Sequence, residues 1–154
     1  MKKLDRTSLI LHTFIGIGAM AGGSACLLNP MNPLGAPSEM LRNSPFTTFL
    51  IPGILLFSVI GLGNILCAFL VAKRWGYRGY ASGIAGGALI IWIIVQCIMI
   101  QSIVFLHWLF FFLGIVQACL AFAQLFSMDQ FPASFIKELL QTQKKKKETL
   151  GKKR

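Results

Sequence analysis

The sequence predicts an all-α fold: a transmembrane four-helix bundle, N-in and C-in, followed by a short interfacial helix and a basic tail. Three observations predict it. Four long apolar runs fill most of the 154 residues. Hydrophobic residues make up 55% of the chain and charged residues 13%, where a soluble domain carries about 25% charge. The lysines and arginines fall almost entirely on one side of the runs. A spanning helix needs roughly 20 apolar residues, because each rises about 1.5 Å through a core about 30 Å thick. Four such helices with short loops use up the length and leave no room for a soluble catalytic domain.

The first span is expected at 8–29. Met1-Lys2-Lys3 and Arg6 make a basic start, but the apolar stretch is longer than the core of about 7–15 residues that a cleaved signal carries. A retained helix is therefore expected. Pro30 to Pro45 is rich in proline, asparagine and glycine. Such residues lack a backbone donor or favour turns, so this segment is an outer loop with a short amphipathic piece around Glu39–Leu41. The second span is expected at 49–72, with Pro52 in its first turns, where the missing donor costs least. Lys73-Arg74-Trp75-Gly76-Tyr77-Arg78-Gly79-Tyr80 forms a polar link before a third span at 82–104. From Gly83 to Met128 there is neither proline nor charge, about twice the length of one span. A turn is expected at Phe105–Trp108, from the polarity of His107 and the interfacial preference of Trp108. The fourth span is then 109–128, which closes a single membrane domain over 1–128.

Residues 129–154 form the tail. Phe131, Phe135, Ile136, Leu139 and Leu140 recur at helical spacing and suit a helix lying on the inner leaflet. Lys144, Lys145, Lys146 and Lys147, with Lys152–Arg154, read as a disordered basic arm that contacts anionic lipid. Of the 15 lysines and arginines, only Arg42 lies across the membrane from the rest, which leaves 14 on one face. That is a strong positive-inside bias. It accounts for the formal net charge of +10 through orientation and the anionic leaflet, with no nucleic-acid partner. Trp75, Tyr77 and Tyr80 mark the inner interface and Trp108 the outer one. Ala21-Gly22-Gly23 echoes Ala85-Gly86-Gly87, but at a different depth, so no internal repeat is expected.

Polar chemistry inside the spans is sparse. Asn64, Gln96 and Gln117 each fall near mid-span, and Gln124 shares a helical face with Gly114, Gln117 and Ala121. These amides suit interhelical bonding, or alternatively the wall of a small polar path. Gly18, Gly22, Gly23 and Gly114 provide close helix packing, and Gly18–Gly22 forms a small-xxx-small pair suited to self-association or to packing within one chain. His12 and His107 fall at opposite ends, so they share neither a metal nor a haem. Cys26, Cys67, Cys97 and Cys119 are scattered one per span without a C-x-x-C motif. Cys26 and Cys97 share an outer depth, which leaves a disulfide between them open. All five acidic residues are placed outside the spans. Ion-coupled transporters, the small four-helix multidrug exporters among them, hold an ionisable group in the membrane.

The run Ser44-Pro45-Phe46-Thr47-Thr48-Phe49-Leu50-Ile51-Pro52-Gly53 carries a resemblance, together with Gly18-Ala19-Met20-Ala21-Gly22-Gly23, Asn29-Pro30 and Trp92-Ile93-Ile94-Val95-Gln96. Over about Gly16 to Ala121 the chain is similar to a widespread group of small bacterial four-helix membrane proteins of uncharacterised function. The resemblance implies a bacterial cytoplasmic membrane and four spans, and brings no catalytic role. The functional expectation is a non-catalytic scaffold, accessory or regulatory subunit without a cofactor. It would bind lipid and a membrane-protein partner or a second copy of itself. The alternative is small-solute transport or a holin-like pore with an amide-lined path.

Overall fold

The computed structural model describes residues 3–151, with side chains described across that range except at 137 and 144–151. Among the described residues, four helices are long and apolar enough to cross a membrane: α1 (Lys3–Leu28), α2 (Leu50–Ala72), α3 (Arg78–Ile100) and α4 (Phe105–Ser127). A fifth, α5, covers Ala133–Gly151. They pack up and down, with α1 along α2 and α3 along α4; α1 also touches α4, and α2 touches α3. Large apolar side chains such as Phe14, Ile17, Leu66, Ile84, Ile91 and Phe112 are exposed around the outside. That inverts a soluble surface and suits hydrocarbon as solvent.

The chain reverses at three short connections. Arg74, Gln101 and Asp129 follow α2, α3 and α4 with φ of 53°, 50° and 52°. Each is a left-handed residue closing a helix, a place more often taken by glycine. The turn between α3 and α4 lies at 101–104, four residues before the expected Phe105–Trp108. The difference has a physical cause. His107 does not break the helix; its Nδ1 accepts the Val104 N–H at 3.1 Å and satisfies a donor at the start of α4. The third span likewise starts at Arg78 rather than at residue 82, and α1 starts at Lys3 rather than at residue 8. The outer loop holds two 3₁₀ turns, Pro33–Gly35 and Ser38–Leu41. The second coincides with the amphipathic piece, and its Leu41 is buried with Phe49 and Met99 in a small apolar cluster.

Helix α2 is not a plain α-helix. Leu56–Leu62 winds as a π-helix, a rare form that inserts extra backbone into a turn. No residue in that stretch signals it. Its effect is to set Gly53 and Gly61, eight residues apart, both against α1. A Cβ on Gly61 would lie 2.6 Å from Met20 Cγ, and one on Gly23 would lie 2.7 Å from the Phe57 backbone nitrogen. The two backbones approach closely because no side chain stands between them. On the other side, Gly86 of α3 meets Gly114 of α4; a Cβ on Gly86 would lie 3.0 Å from Ala118 N.

The glycines expected to pack do so at different closeness. Gly23 and Gly114 leave no room for a Cβ, whereas one on Gly22 would lie 3.4 Å from Leu56 of α2 and one on Gly18 3.5 Å from Phe110 of α4, ordinary contact distances. The packed face of α1 is Gly16, Ala19 and Gly23, at steps of three and four. Gly18 and Gly22 share a stripe that sits beside it.

The end bearing the N-terminus also carries the 73–77 link and the 128–132 link. Arg78 Nε donates to Asp5 Oδ1, Gln130 Nε2 donates to the Gly76 carbonyl at 3.0 Å, and Tyr80 Oη donates to the Phe131 carbonyl at 2.7 Å. Lys3 and Arg6 of α1 and the basic residues between α2 and α3 therefore sit at one end of the bundle. Helix α5 leaves from that same end, and its Phe135, Ile136, Leu139 and Leu140 are exposed. It runs on to Gly151, past the point where the sequence suggests a disordered arm. The side chains of Lys144, Lys145, Lys146 and Lys147 lie outside the described residues, as do 152–154.

Candidate functional site

Each spanning helix contributes one polar side chain to a knot inside the bundle: His12 from α1, Asn64 from α2, Ser82 from α3 and Gln117 from α4. All four are at most 1% exposed. His12 Nδ1 lies 2.8 Å from Asn64 Oδ1, and His12 Nε2 lies 2.9 Å from Ser82 Oγ. Gln117 Nε2 donates to Asn64 Oδ1 and lies 2.6 Å from His12 Nδ1. The Asn64 amide nitrogen donates to the Ile60 carbonyl at 2.8 Å, within the π-helical stretch. That contact orients Asn64, so its oxygen faces His12 and Gln117 and accepts from the Gln117 amide.

About ten ångströms toward the basic end, seven residues along α1 at about 1.5 Å each, lies a second polar group. Asp5 is 3% exposed. Its Oδ1 accepts from Arg78 Nε at 3.2 Å and from Gln124 Nε2 at 3.3 Å. Arg78 also donates to the carbonyls of Arg74 and Trp75, so its charge is held by the link after α2 as well as by Asp5. Two acceptors in these groups lack a protein partner: Gln117 Oε1 and Gln124 Oε1. Turning the Gln124 amide over would set its oxygen against Asp5 Oδ1, so that oxygen stays as it stands. An unsatisfied buried acceptor costs about 1–3 kcal/mol.

Asn64 and Gln117 meet, as their depth predicts. Gln124 belongs to the Asp5 group instead. Gln96 joins neither: it lines a cavity of about 30 Å³ toward the other end, with Cys26, Phe49, Pro52, Leu56, Trp92, Met99 and Ile100. The expected layer of four amides is thus three separate places, because the faces of α3 and α4 that meet set Gln96 away from Gln117. Cys26 and Cys97 are free thiols.

Two residues of the site run against expectation. His12 is the centre of the knot and not an interfacial end-residue, and Asp5 is buried within α1 rather than outside the spans. A signal for both was present: Asp5, Ser8 and His12 stand at i, i+3 and i+7 and make one polar seam. Past His12 the same face continues as Ile15 and Ala19, which pack with Ile60, Leu89 and Ile93 into an apolar core. Among the described residues, no three His, Cys, Asp or Glu side chains converge as a metal site would need. The chemistry on offer at the knot is hydrogen bonding among amides, a hydroxyl and one titratable imidazole.

No family model matches this chain, and comparison with curated proteins and with solved structures gives no match.

Proposed function

We propose that this protein is a non-catalytic scaffold or accessory subunit of a bacterial cytoplasmic membrane, set N-in and C-in, with α5 and its lysines resting on anionic lipid. One observation carries the reading: all four spans tie one polar side chain into a single knot closed to the surface. Polar side chains that bond to one another across helices hold a bundle rigid; a conducting path would keep such groups in contact with water. The exposed apolar stripe of α5 and the shared basic end support the lipid contact and the orientation. The partner of such a subunit is another membrane protein or a second copy of the chain.

Solute release from liposomes tests this reading. Purified protein reconstituted into dye- and ion-loaded vesicles is expected to release nothing above empty vesicles. Release that disappears in Gln117→Leu, with the helical content kept, would replace the scaffold with a transport or pore function lined by the amides.

A further inference from the structure

The bundle end away from the basic residues is apolar where a water-facing end would be polar. Leu28 and Leu34 are each 87% exposed there, and Met31, Ile103, Phe105 and Leu106 are exposed as well. The two connections at this end carry only two charged residues, Glu39 and Arg42.

Packing brings the apolar residues to one level. Asp5 meets Gln124, His12 meets Gln117 and Gly18 stands beside Phe110. Continuing that antiparallel register of α1 and α4 sets Leu28 level with the 101–104 turn. The Pro33–Gly35 turn packs back against α1, whereas Ser38–Leu41 packs against α3. The loop is therefore divided. Its apolar part, with Met31 and Leu34, lies by α1, and its two charges belong to the part by α3.

The backbone holds the apolar part in place. Leu34 has a φ of 52°, a left-handed conformation that favours glycine. The Ala36 N–H donates to the Pro33 carbonyl and the Ser38 N–H to the Met31 carbonyl, each at 2.9 Å, which closes the chain around Leu34. Pro33 is buried, so the exposed leucine rides on a closed turn seated against α1. A leucine at a position suited to glycine, with its side chain almost wholly exposed, gains nothing from the protein itself. Its partner lies outside the chain.

We infer that this rim is seated in lipid, at the boundary between acyl chains and head-groups of the leaflet farther from the basic end, with Leu34 inserted as its tip. Depth favours lipid over a protein partner. From Leu9 to Leu28, at about 1.5 Å per residue, α1 covers about 30 Å, the thickness of the hydrocarbon core. Leu28 and the 101–104 turn thus reach the far edge of that core, and a turn that packs back against α1 stays there. Trp108, exposed one turn along α4, is a side chain that prefers the same boundary. None of the rim residues is cationic, so the rim recognises the apolar boundary of a neutral or zwitterionic leaflet and has no need of anionic lipid. One end of the protein then holds its leaflet by charge and the other by insertion.

Nitroxide collision rates in the full chain test this. Leu34→Cys, Phe105→Cys and Ser38→Cys are each made in an otherwise cysteine-free chain, spin-labelled and reconstituted in phosphatidylcholine liposomes. A water-soluble nickel chelate is present on both sides, so orientation does not enter. Labels at 34 and 105 are expected to collide more with oxygen than with the chelate, and the label at 38 the reverse. Adding phosphatidylglycerol is expected to leave the ratio at 34 unchanged. If the Leu34→Cys chain fails to insert, Met31→Cys takes its place with the same expectation. Chelate excess at 34 or at 105 would overturn the inference, as would equal ratios at 34 and 38 or a ratio at 34 that follows phosphatidylglycerol. Low collision with both reagents together with dipolar broadening would overturn it too, by placing a second copy on the rim.

Discussion

Removing Asn64 tests the knot most directly. Its oxygen accepts from Gln117 Nε2 and lies 2.8 Å from His12 Nδ1, and its nitrogen donates to the Ile60 carbonyl. Asn64→Leu keeps the volume near constant and deletes all three contacts. In a membrane each interhelical bond contributes about 0.6–1.7 kcal/mol, so the two contacts that cross to α1 and α4 put the loss at about 1–3 kcal/mol. The upper part of that range applies if His12 and Gln117 find no substitute partner, because Asn64 is 1% exposed and little water reaches the knot. Reversible unfolding in bicelles, by steric trapping or titration with a denaturing detergent, reads the loss. A double-mutant cycle with His12→Leu should give a coupling of about 1 kcal/mol or more, as expected for residues in contact. The cycle with Gln124→Leu should give a coupling within about 0.5 kcal/mol of zero, the additivity expected of separate sites. A loss below about 0.5 kcal/mol for Asn64→Leu, the range of a surface change, would refute the claim that this knot ties the helices.

Three further outcomes follow from the packing and the charges. Gly86→Ala places a Cβ 3.0 Å from Ala118 N and should cost about 1–3 kcal/mol by forcing α3 and α4 apart. Its neighbour Gly87 has open space around it, so Gly87→Ala should be neutral or should gain up to about 1 kcal/mol from helix propensity; the same unfolding assay checks both. Asp5→Asn leaves the Arg78 guanidinium without a charged partner and should cost about 1–3 kcal/mol, because a charge-assisted bond becomes a neutral one; Lys at position 78 should not restore it. A thiol placed at Ser38 in an otherwise cysteine-free chain should react with an impermeant maleimide added to intact cells, whereas one at Gly76 should not, and the reverse pattern would invert the topology.

Much of the architecture was legible in the order of residues. Spans, loops and the sidedness of charge follow from transfer energies that belong to single residues: an apolar run of about 20 crosses lipid, and a lysine resists doing so. Those costs need no knowledge of neighbours. The depths of Asn64 and Gln117 came from the same arithmetic of rise per residue. The seam Asp5–Ser8–His12 was equally readable, yet a histidine near a helix end looks the same on paper whether it faces water or a core.

Only the packed structure decided which faces meet. It chose Gly16, Ala19 and Gly23 over the Gly18–Gly22 stripe, wound Leu56–Leu62 as a π-helix, and sent Gln124 to Asp5 while leaving Gln96 beside the small cavity. Helix rotation depends on how four surfaces fit at once, and a displacement of one residue turns a face by about 100°. No single residue carries that information. The pairing of His12 with residues 52, 70 and 105 positions away along the chain exists only once the four helices have closed around it.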